Sequence, residues 1–255
     1  MQHQRWEIMG MRYLLVLVSG LCMSACGTEN TESEAINGNA DENTASDELT
    51  AAKPLYYAVR LDTRRCLFPV CGGYWVHALN KKKTRCLDGR ERNECYVATI
   101  ETSGLDLSEE ELANIQNDTR QIVYRGVLGS KQYPHFGRFG ELVAYEAWQA
   151  ASETPYTGKV YDVSDNHIVC ITTPCFSLAA KTVNTTSAAI TVSGLLGDET
   201  LLEGVYTALS TEHILGAGKV VRDKHAGPAG VGRALKLSQY FTRVQHRDGS
   251  EQQDN

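Results

Sequence analysis

The chain has 255 residues, 31 of them acidic against 25 Lys and Arg, and a formal net charge of −6. The acidity is local: residues 27–52 carry −7, residues 1–26 carry +1, and residues 53–255 sum to zero. A neutral body lacks the basic surplus that nucleic acid and anionic lipid require, so neither is expected as a partner of the body.

The N-terminus has the pattern of an export signal. Arg12 precedes an apolar run of about a dozen residues, which is shorter than the roughly 20 needed to span a bilayer. Met23-Ser-Ala-Cys26 resembles the lipobox of bacterial lipoproteins, and the resemblance implies cleavage before Cys26 and its lipidation. Gly27 is not the Asp linked to inner-membrane retention, which points to the outer membrane. An ordinary signal peptide with a chance cysteine is the alternative.

Residues 27–52 are predicted to form a disordered acidic tether between the lipid anchor and the body. They contain seven Asp and Glu, no Lys or Arg, and almost no large apolar residue. Such a segment cannot bury enough surface to offset its ordering entropy. Residues 246–255 are likewise expected to form a disordered tail.

Six cysteines remain after Cys22 leaves with the signal peptide and Cys26 is lipidated. An even number of cysteines in an exported chain predicts disulfides. Structural zinc is the alternative because two pairs have C-x4-C spacing, but an oxidising compartment disfavours free thiolates. The six are Cys66, Cys71, Cys86, Cys95, Cys170 and Cys175.

The two C-x4-C pairs lie at the same place in an internal repeat. In both copies a Tyr lies nine residues before the first Cys and an Asn nine residues after the second. The copies are assigned to residues 53–153 and 154–245, and the first contains an insertion with Cys86 and Cys95. The further matched landmarks are Gly104-Leu105 with Gly194-Leu195, Leu128-Gly129 with Leu215-Gly216, and Gly140…Trp148 with Gly232…Tyr240.

Local patterns predict small antiparallel β units with one helix each. Ser108 and Glu111 form a capping box, which predicts a helix after Ser108, and Asp198 is expected to open its counterpart. The fold class is therefore β-rich α+β, with two tandem duplicated units stapled by disulfides. Alternation and turn residues predict strands at Tyr56–Leu61, Tyr74–Leu79, Glu141–Gln149, Gly158–Val163, Phe176–Val183 and Arg233–Arg243.

The repeat also predicts how the cysteines pair. Cys170 has only Cys175 within its copy, so the equivalent Cys66 is expected to bond Cys71. Cys86 then bonds Cys95 within the insertion. A crossed arrangement, with Cys66 bonded to Cys86 and Cys71 to Cys95, remains the alternative.

No standard catalytic signature is present, and no catalytic residue, cofactor or metal is predicted. His77 and His135 are the candidates for an unfamiliar hydrolase, and His167 lies beside Cys170. Residues 109–111 with Asp118 suggest a cation site, although a charged first helical turn explains them through the helix dipole. The Gly-rich stretches 216–221 and 227–232 are interpreted as loops before a closing strand and not as nucleotide sites.

Two resemblances bear on function. Pro69-Val-Cys-Gly72 is similar to a motif of Kazal-type protease inhibitors, but the next cysteine of that family comes sooner than Cys86 does here. The cysteine motifs 66–75, 86–89, 94–97 and 170–175 together resemble an uncharacterised family of secreted or lipid-anchored bacterial proteins, catalogued as a domain of unknown function. That resemblance covers about residues 55–245. It implies an extracytoplasmic location but no activity.

The sequence therefore predicts a non-enzymatic binding or structural module of the cell envelope. Its expected partners are the membrane, through the lipid anchor, and an unidentified protein or polysaccharide. A protease inhibitor is the first alternative, and a hydrolase of unfamiliar type is the second.

Overall fold

The computed structural model describes residues 53–118, 120–228 and 230–245. The predicted signal peptide with Cys26, the tether 27–52 and the tail 246–255 lie outside the described residues.

The described chain is β-rich, with two α-helices and one 3₁₀ turn at Ser103–Leu105. The helices are α1 (Glu109–Asn117) and α2 (Glu199–Leu209). The strands are β1 (Leu55–Leu61), β2 (Tyr74–Ala78), β3 (Thr84–Arg85), β4 (Glu91–Arg92), β5 (Cys95–Val97), β6 (Thr99–Glu101), β7 (Ile122–Tyr133), β8 (Gly137–Ala150), β9 (Lys159–Asp165), β10 (Leu178–Thr182), β11 (Ile190–Val192), β12 (Gly194–Leu196), β13 (Ile214–Gly227) and β14 (Gly230–Arg243).

Most strands belong to one continuous, largely antiparallel sheet. Its order is β11-β10-β9-β13-β14-β8-β7-β1-β2-β5, while β3 and β4 form a separate ribbon. The short strands β12 and β6 pair in parallel with β14 and β8, respectively. The strands and helices predicted from the sequence are present within a few residues of their expected bounds.

Two long hairpins, β7–β8 and β13–β14, form the middle of the sheet. They meet where the C-terminal ends of β8 and β14 pair in antiparallel fashion, with Phe241 opposite Ala150 and Thr242 opposite Gln149. Because the two strands run in opposite directions from this contact, the turns of the two hairpins lie at opposite ends of the sheet.

The sequence analysis missed the long strands β7 and β13, as well as the short strands β3 to β6, β11 and β12. Burial on both faces explains why the two long strands were missed. The pairing register shifts opposite Gly126 and Gly218, where β8 and β14 each contain one extra residue, Tyr145 and Ser238 respectively. A Cβ at Gly126 would collide with the carbonyl oxygen of Val143, and one at Gly218 with that of Lys236. In β7 the adjacent residues Val123 and Tyr124 are buried in different clusters, and in β13 the same holds for Ile214 and Leu215. Buried and exposed residues therefore do not alternate along these strands. The stretch 216–221, interpreted above as a loop, is therefore part of β13.

Both halves of the chain contribute to one shared core. Trp148 and Val123 of the first half pack in the same cluster as Val160, Leu215 and Phe241 of the second. Each half also has a cluster of its own. Val205 of α2 is fully buried in the cluster of the second half. The two halves of the described chain therefore pack against each other through a common core.

Asn80 links the first half of the chain to the second. Its side-chain amide donates to the carbonyl oxygens of Val160 (2.7 Å) and Val183 (3.0 Å). Its side-chain oxygen accepts from the N–H of Val160 at 3.0 Å. Asn80 has a left-handed backbone with φ of 59°, a conformation that Asn adopts more readily than most residues.

Asn184 makes the same set of bonds in the opposite direction. It donates to the carbonyl oxygens of Tyr56 (2.7 Å) and Leu79 (3.0 Å) and accepts from the N–H of Tyr56 at 2.8 Å, with φ of 58°. In a flat sheet β1 and β9 would lie about 24 Å apart, at about 4.8 Å per strand. The sheet must therefore curl until the starts of β1 and β9 meet, and the two asparagines hold that contact.

The helix starts follow the local sequence. The Ser108 side chain accepts from the N–H of Glu111, and the Glu111 carboxylate accepts from the N–H of Ser108, so the predicted capping box is confirmed. The Asp198 side chain caps α2 by accepting from the N–H of Leu201. No helix in the described residues is long and apolar enough to cross a membrane.

One matched landmark of the repeat is wrong. Gly104 lies in the 3₁₀ turn, whereas Gly194 begins β12. By pairing register, β12 corresponds instead to β6, since each pairs in parallel with the second strand of its long hairpin. The two Gly-Leu dipeptides therefore match in sequence but not in position.

Candidate functional site

All six cysteines of the described chain form disulfides between near neighbours. The pairs are Cys66–Cys71, Cys86–Cys95 and Cys170–Cys175, with Cα atoms 5.6, 5.5 and 5.5 Å apart. This is the local arrangement and not the crossed one. The bonded sulfurs are not thiolates, so they do not supply the zinc site considered above.

The loop closed by Cys66 and Cys71 presents apolar side chains to solvent. Leu67 is 70% exposed and Phe68 is 48% exposed. Pro69, which follows them in the loop, is buried. The N–H of Val70 donates to the carbonyl oxygen of Leu67 at 3.0 Å, so the loop is a tight turn. The chain thus buries the proline and displays its apolar neighbours.

A buried carboxylate holds the base of this loop. The Asp62 side chain is 1% exposed and accepts two bonds from the Arg64 guanidinium as well as one from the N–H of Gly72. The hydrogen bond from Arg64 holds the pKa of Asp62 well below its usual range. Arg64 also donates to the carbonyl oxygen of Val70 at 3.2 Å, which ties the carboxylate to the loop.

Aromatic rings support the same loop from the side. The Arg64 guanidinium carbon lies 5.0 Å from the Trp75 ring centroid and 5.1 Å from that of Tyr96, at cation–π distance. The Tyr96 hydroxyl donates to the carbonyl oxygen of Pro69 at 2.8 Å. Because β2 and β5 supply these contacts, the loop is held by the sheet and not only by its disulfide.

The turn of the β7–β8 hairpin completes this end of the molecule. The Phe68 ring packs edge-on against Tyr133, with centroids 5.5 Å apart, and Tyr133 packs against Phe139. Phe136, in the turn itself, is exposed. We call this surface the first tip, defined by Leu67, Phe68, Val70 and Phe136.

The loop closed by Cys170 and Cys175 forms a comparable surface. Val169 is 94% and Ile171 100% exposed, while Pro174 is buried. This loop lies against the turn of the β13–β14 hairpin, where a Cβ on Gly227 would collide with the carbonyl oxygen of Thr173. We call this surface the second tip, defined by Ile168, Val169, Ile171 and Val231.

The two tips share a physical design. Each combines a disulfide-closed loop, a buried proline and the turn of a long hairpin, and each exposes four large apolar residues. Exposed apolar side chains on a fixed backbone are typical of protein-binding surfaces, because little conformational entropy is lost when a partner covers them.

The histidines chosen from the sequence are not assembled into a catalytic site. Among the described residues, no hydrogen bond involves the side chain of His77, His135 or His167. His135 and His167 lie in left-handed turns and are exposed, with φ of 67° and 56°. None of the three histidines lines either of the two clefts, of about 740 and 350 Å³, that open beside β1.

The acidic cluster suggested as a cation site is also dispersed. Glu111 belongs to the capping box at the start of α1, and Asp118 lies past its other end. Asp118 bonds Arg120 and Gln149, and the hydrogen bond from Arg120 lowers its pKa to about 2. No group of three or more potential metal-binding side chains occurs in the part of the chain that the structure describes.

One polar pair was missed by the sequence analysis. His213 Nδ1 lies 2.7 Å from Asp162 Oδ1, and the His213 ring packs edge-on against Trp148 at 5.1 Å. The residues are 51 positions apart, so no local pattern could have found the pair. No hydrogen bond of the described residues joins it to a Ser, Thr or Cys side chain, so it lacks the nucleophile of a hydrolase triad.

The fold and the two tips define a disulfide-stapled antiparallel β protein that presents two apolar loops. Residues 55–247 match the family model described as Domain of unknown function (DUF6748). Because the match covers well over half of the chain, the protein belongs to this family, in agreement with the resemblance of its cysteine motifs. No curated protein and no solved structure matches the chain significantly.

Proposed function

We propose that the protein is a non-enzymatic binding module of the bacterial cell envelope, anchored by lipid at Cys26, which captures a protein partner through its two tips. The observation that carries the proposal is the exposure of eight large apolar side chains on the two tips, each built from a disulfide loop and a hairpin turn. Three disulfides agree with an oxidising, extracytoplasmic compartment. The dispersed histidines favour binding over catalysis.

The protease-inhibitor alternative is less well supported. Proteases bind the backbone of their ligands in an extended conformation, in the manner of an added strand. The bond from the N–H of Val70 to the carbonyl oxygen of Leu67 instead folds the first loop into a turn. A protease would have to open that turn, and the bonds of Arg64 and Tyr96 to the loop oppose its opening.

We also propose that the two halves are duplicated units related by an approximate twofold axis between β8 and β14. The axis maps Phe241 onto Gln149 and Ala150 onto Thr242, so the pair Phe241–Ala150 becomes the pair Gln149–Thr242. The bonds of Asn80 and Asn184 exchange in the same way. A duplication accounts for two tips of the same design at opposite ends.

Changing the tips should abolish capture while leaving the fold intact. The immobilised wild type should retain a discrete set of envelope proteins. We expect the double variant L67S/F68S to retain at least about tenfold less of them, because an interface hot spot contributes about 2 kcal/mol or more to binding. V169S/I171S tests the second tip in the same way, and mass spectrometry quantifies the captured proteins.

The matched control is L196S, which removes an exposed leucine of β12 outside both tips. Undiminished capture by both tip variants would contradict the proposal. The inhibitor alternative would be established instead if the wild type slowed hydrolysis by a chymotrypsin-like protease and L67S/F68S did not.

Replacing Cys26 by Ser should release the protein from membranes. The three acyl chains of a bacterial lipoprotein anchor firmly, whereas a single chain holds only marginally. We expect the wild type to incorporate palmitate and to sediment with membranes, and the variant to do neither. The matched control is Cys22→Ser, which is expected to leave both properties unchanged. Palmitate labelling of the Cys26→Ser protein would show that the anchor lies elsewhere.

A further inference from the structure

A cleft of about 740 Å³ opens between the start of β1, the second half of β7 and the insertion that carries the second disulfide. Because successive residues of a strand point their side chains to opposite faces, a cleft that touches several consecutive residues must lie at the edge of that strand. The cleft therefore meets the main chain of β7 as well as its side chains. The consecutive residues of β7 that line it are Val127, Leu128, Gly129 and Ser130.

This edge of β7 has no partner strand among the described residues. β1 pairs with β7 only as far as Leu55 opposite Gly126, whereas β8 pairs along the other side of β7 as far as Tyr133. In the described ranges, no main-chain hydrogen bond outside the strands uses residues 127–130. In an antiparallel hairpin, every second residue directs its N–H and C=O away from the neighbouring strand. Alternate residues of β7 beyond Gly126 therefore present these groups to the cleft.

The insertion between β2 and β5 forms the opposite wall of the cleft. It belongs to residues 79–94, whereas the corresponding connection of the second half, between β10 and β11, has only residues 183–189. The Cys86–Cys95 disulfide fixes this wall, and so does the buried Thr84, whose hydroxyl accepts a main-chain hydrogen bond at 2.8 Å. The cleft is thus bounded by the segment that distinguishes the first half from the second.

The cleft is strongly cationic, and we call it the basic cleft. Glu91 is the single carboxylate among its lining residues. None of its five cations forms an ion pair within the part of the chain that the structure describes, and Lys83 donates only to the neutral side-chain oxygen of Asn93. Five positive charges against one negative charge attract an anionic ligand. The five are Lys53, Lys81, Lys83, Arg85 and Arg138.

The lining residues of the basic cleft are spread along the strand edge. They extend from Leu55, which lies opposite Gly126, to Arg138, which lies opposite Gln132. The six residues from one end to the other cover about 20 Å, at about 3.3 Å per residue. A single small anion would meet only part of this length, whereas an extended chain with several acidic groups can meet all of it.

We propose that the basic cleft binds an extended acidic peptide, which adds to the edge of β7 as a strand. The peptide lies end to end with β1, about 4.8 Å from β7, and pairs with the main chain of residues 127–130. In binding of this kind, main-chain hydrogen bonds supply affinity and side chains at alternate positions supply specificity. The proposal does not depend on the tips, because no residue that defines a tip lines the cleft.

The walls of the basic cleft fit a peptide with acidic side chains at every second position. Leu55 of β1 and Cys86 of the insertion pack against the same hydrophobic cluster. A strand in line with β1 therefore directs every second side chain toward the insertion, where Lys83 and Arg85 lie. Acidic side chains at these positions meet the two cations, so the spacing of the acidic residues sets the register of the peptide.

A synthetic peptide tests the proposal. It carries fluorescein and alternates glutamate with valine over about seven residues, enough to cover the edge at about 3.3 Å per residue. We expect the exported protein to bind it at low salt, and the variant K81E/R138E to bind it at least about tenfold more weakly, because attraction across the interface becomes repulsion. The matched control K159E/K219E reverses two exposed lysines outside the cleft and should bind as the wild type does. A wild type that binds the peptide no better than K81E/R138E would overturn the proposal.

Methylation of the peptide's main chain separates strand pairing from attraction between charges. Two methylated peptides carry N-methyl groups at every second residue, each in one of the two alternating sets, and both keep all their glutamates. Only one set of N–H groups faces β7, so the two peptides should differ in affinity by at least about tenfold. Equal affinity would mean that the cleft holds a polyanion by charge alone, as it would an acidic glycan, and the peptide assignment would be wrong.

Amide hydrogen exchange locates the bound peptide on the fold. With the peptide in excess, we expect slower exchange within residues 127–131 of β7, where alternate N–H groups pair with the added strand. The matched control is residues 219–222 of β13, which lie beyond the pairing of β13 with β9 and should exchange as before. The same measurement on K81E/R138E without peptide shows whether that variant is folded. Unchanged exchange of residues 127–131 while the peptide is bound would contradict an added strand.

Discussion

Replacing Asn80 by Ala should lower the free energy of unfolding by about 3 kcal/mol, and replacing Asn184 should cost about the same. Each side chain makes three hydrogen bonds to the other half of the molecule, each worth about 1 kcal/mol net. Alanine at position 80 would remove these bonds and leave the N–H of Val160 without its side-chain acceptor, and alanine at position 184 would do the same to the N–H of Tyr56. Alanine also tolerates the left-handed backbone at these positions less well than asparagine.

Three further variants isolate the cause. Asn80→Asp keeps the accepting oxygen and loses both donated bonds, whereas Asn80→Gly loses all three bonds but relieves the backbone. Asn93→Ala, at an exposed residue that only accepts from Lys83, is the matched control and should change stability by less than about 0.5 kcal/mol. Denaturant unfolding measures all of them. An Asn80→Ala protein as stable as the Asn93→Ala control would show that the asparagine bonds do not hold the halves together.

Replacing Trp148 by Ala should destabilise the protein by about 3–5 kcal/mol, the usual cost of deleting a large buried aromatic side chain. Trp148 is fully buried in the shared core, packs against the rings of Tyr56 and His213, and donates from Nε1 to Glu146 at 3.1 Å. Deleting it opens a cavity where the halves meet, so both halves should unfold in one transition at lower denaturant concentration.

The conservative variant separates packing from the hydrogen bond. Trp148→Phe keeps most of the volume and loses the bond to Glu146, so a smaller cost of about 1–2 kcal/mol is expected. Tyr145→Ala, at an exposed neighbour in the same strand, should cost little. Separate melting of the two halves in Trp148→Ala, or a loss below about 1 kcal/mol, would contradict a shared core.

The elements predicted correctly are those whose causes lie within a few residues. The capping box needs only Ser108 and Glu111, and the Asp198 cap needs only the next turn of chain. The 66–71 and 170–175 disulfides join cysteines five residues apart, a separation at which the chain itself keeps the two Cα atoms close. The family resemblance depended on the same short cysteine motifs, and it is the expectation about identity that the comparison confirmed.

The long strands β7 and β13 were not predicted from the sequence. Adjacent residues such as Val123 and Tyr124 are buried in different clusters, so these strands lack the alternation on which strand prediction depends. Which faces of a strand are covered is decided by tertiary packing. The same limit affected Gly104 and Gly194, which match as dipeptides but lie in different elements. Pairing register, which is not local, decides such cases.

By itself, then, the sequence determined the caps, the six strands β1, β2, β8, β9, β10 and β14, the local disulfides and the acidity of residues 27–52. Only the tertiary structure decided that Asn80 and Asn184 bond across the halves, that His213 meets Asp162, and that cations as distant as Lys53 and Arg138 line one cleft. A net charge of zero for residues 53–255 conceals that cleft, because summing charges discards their positions. Contacts between distant residues depend on how the sheet curls, and the curl is set by the packing of both halves at once.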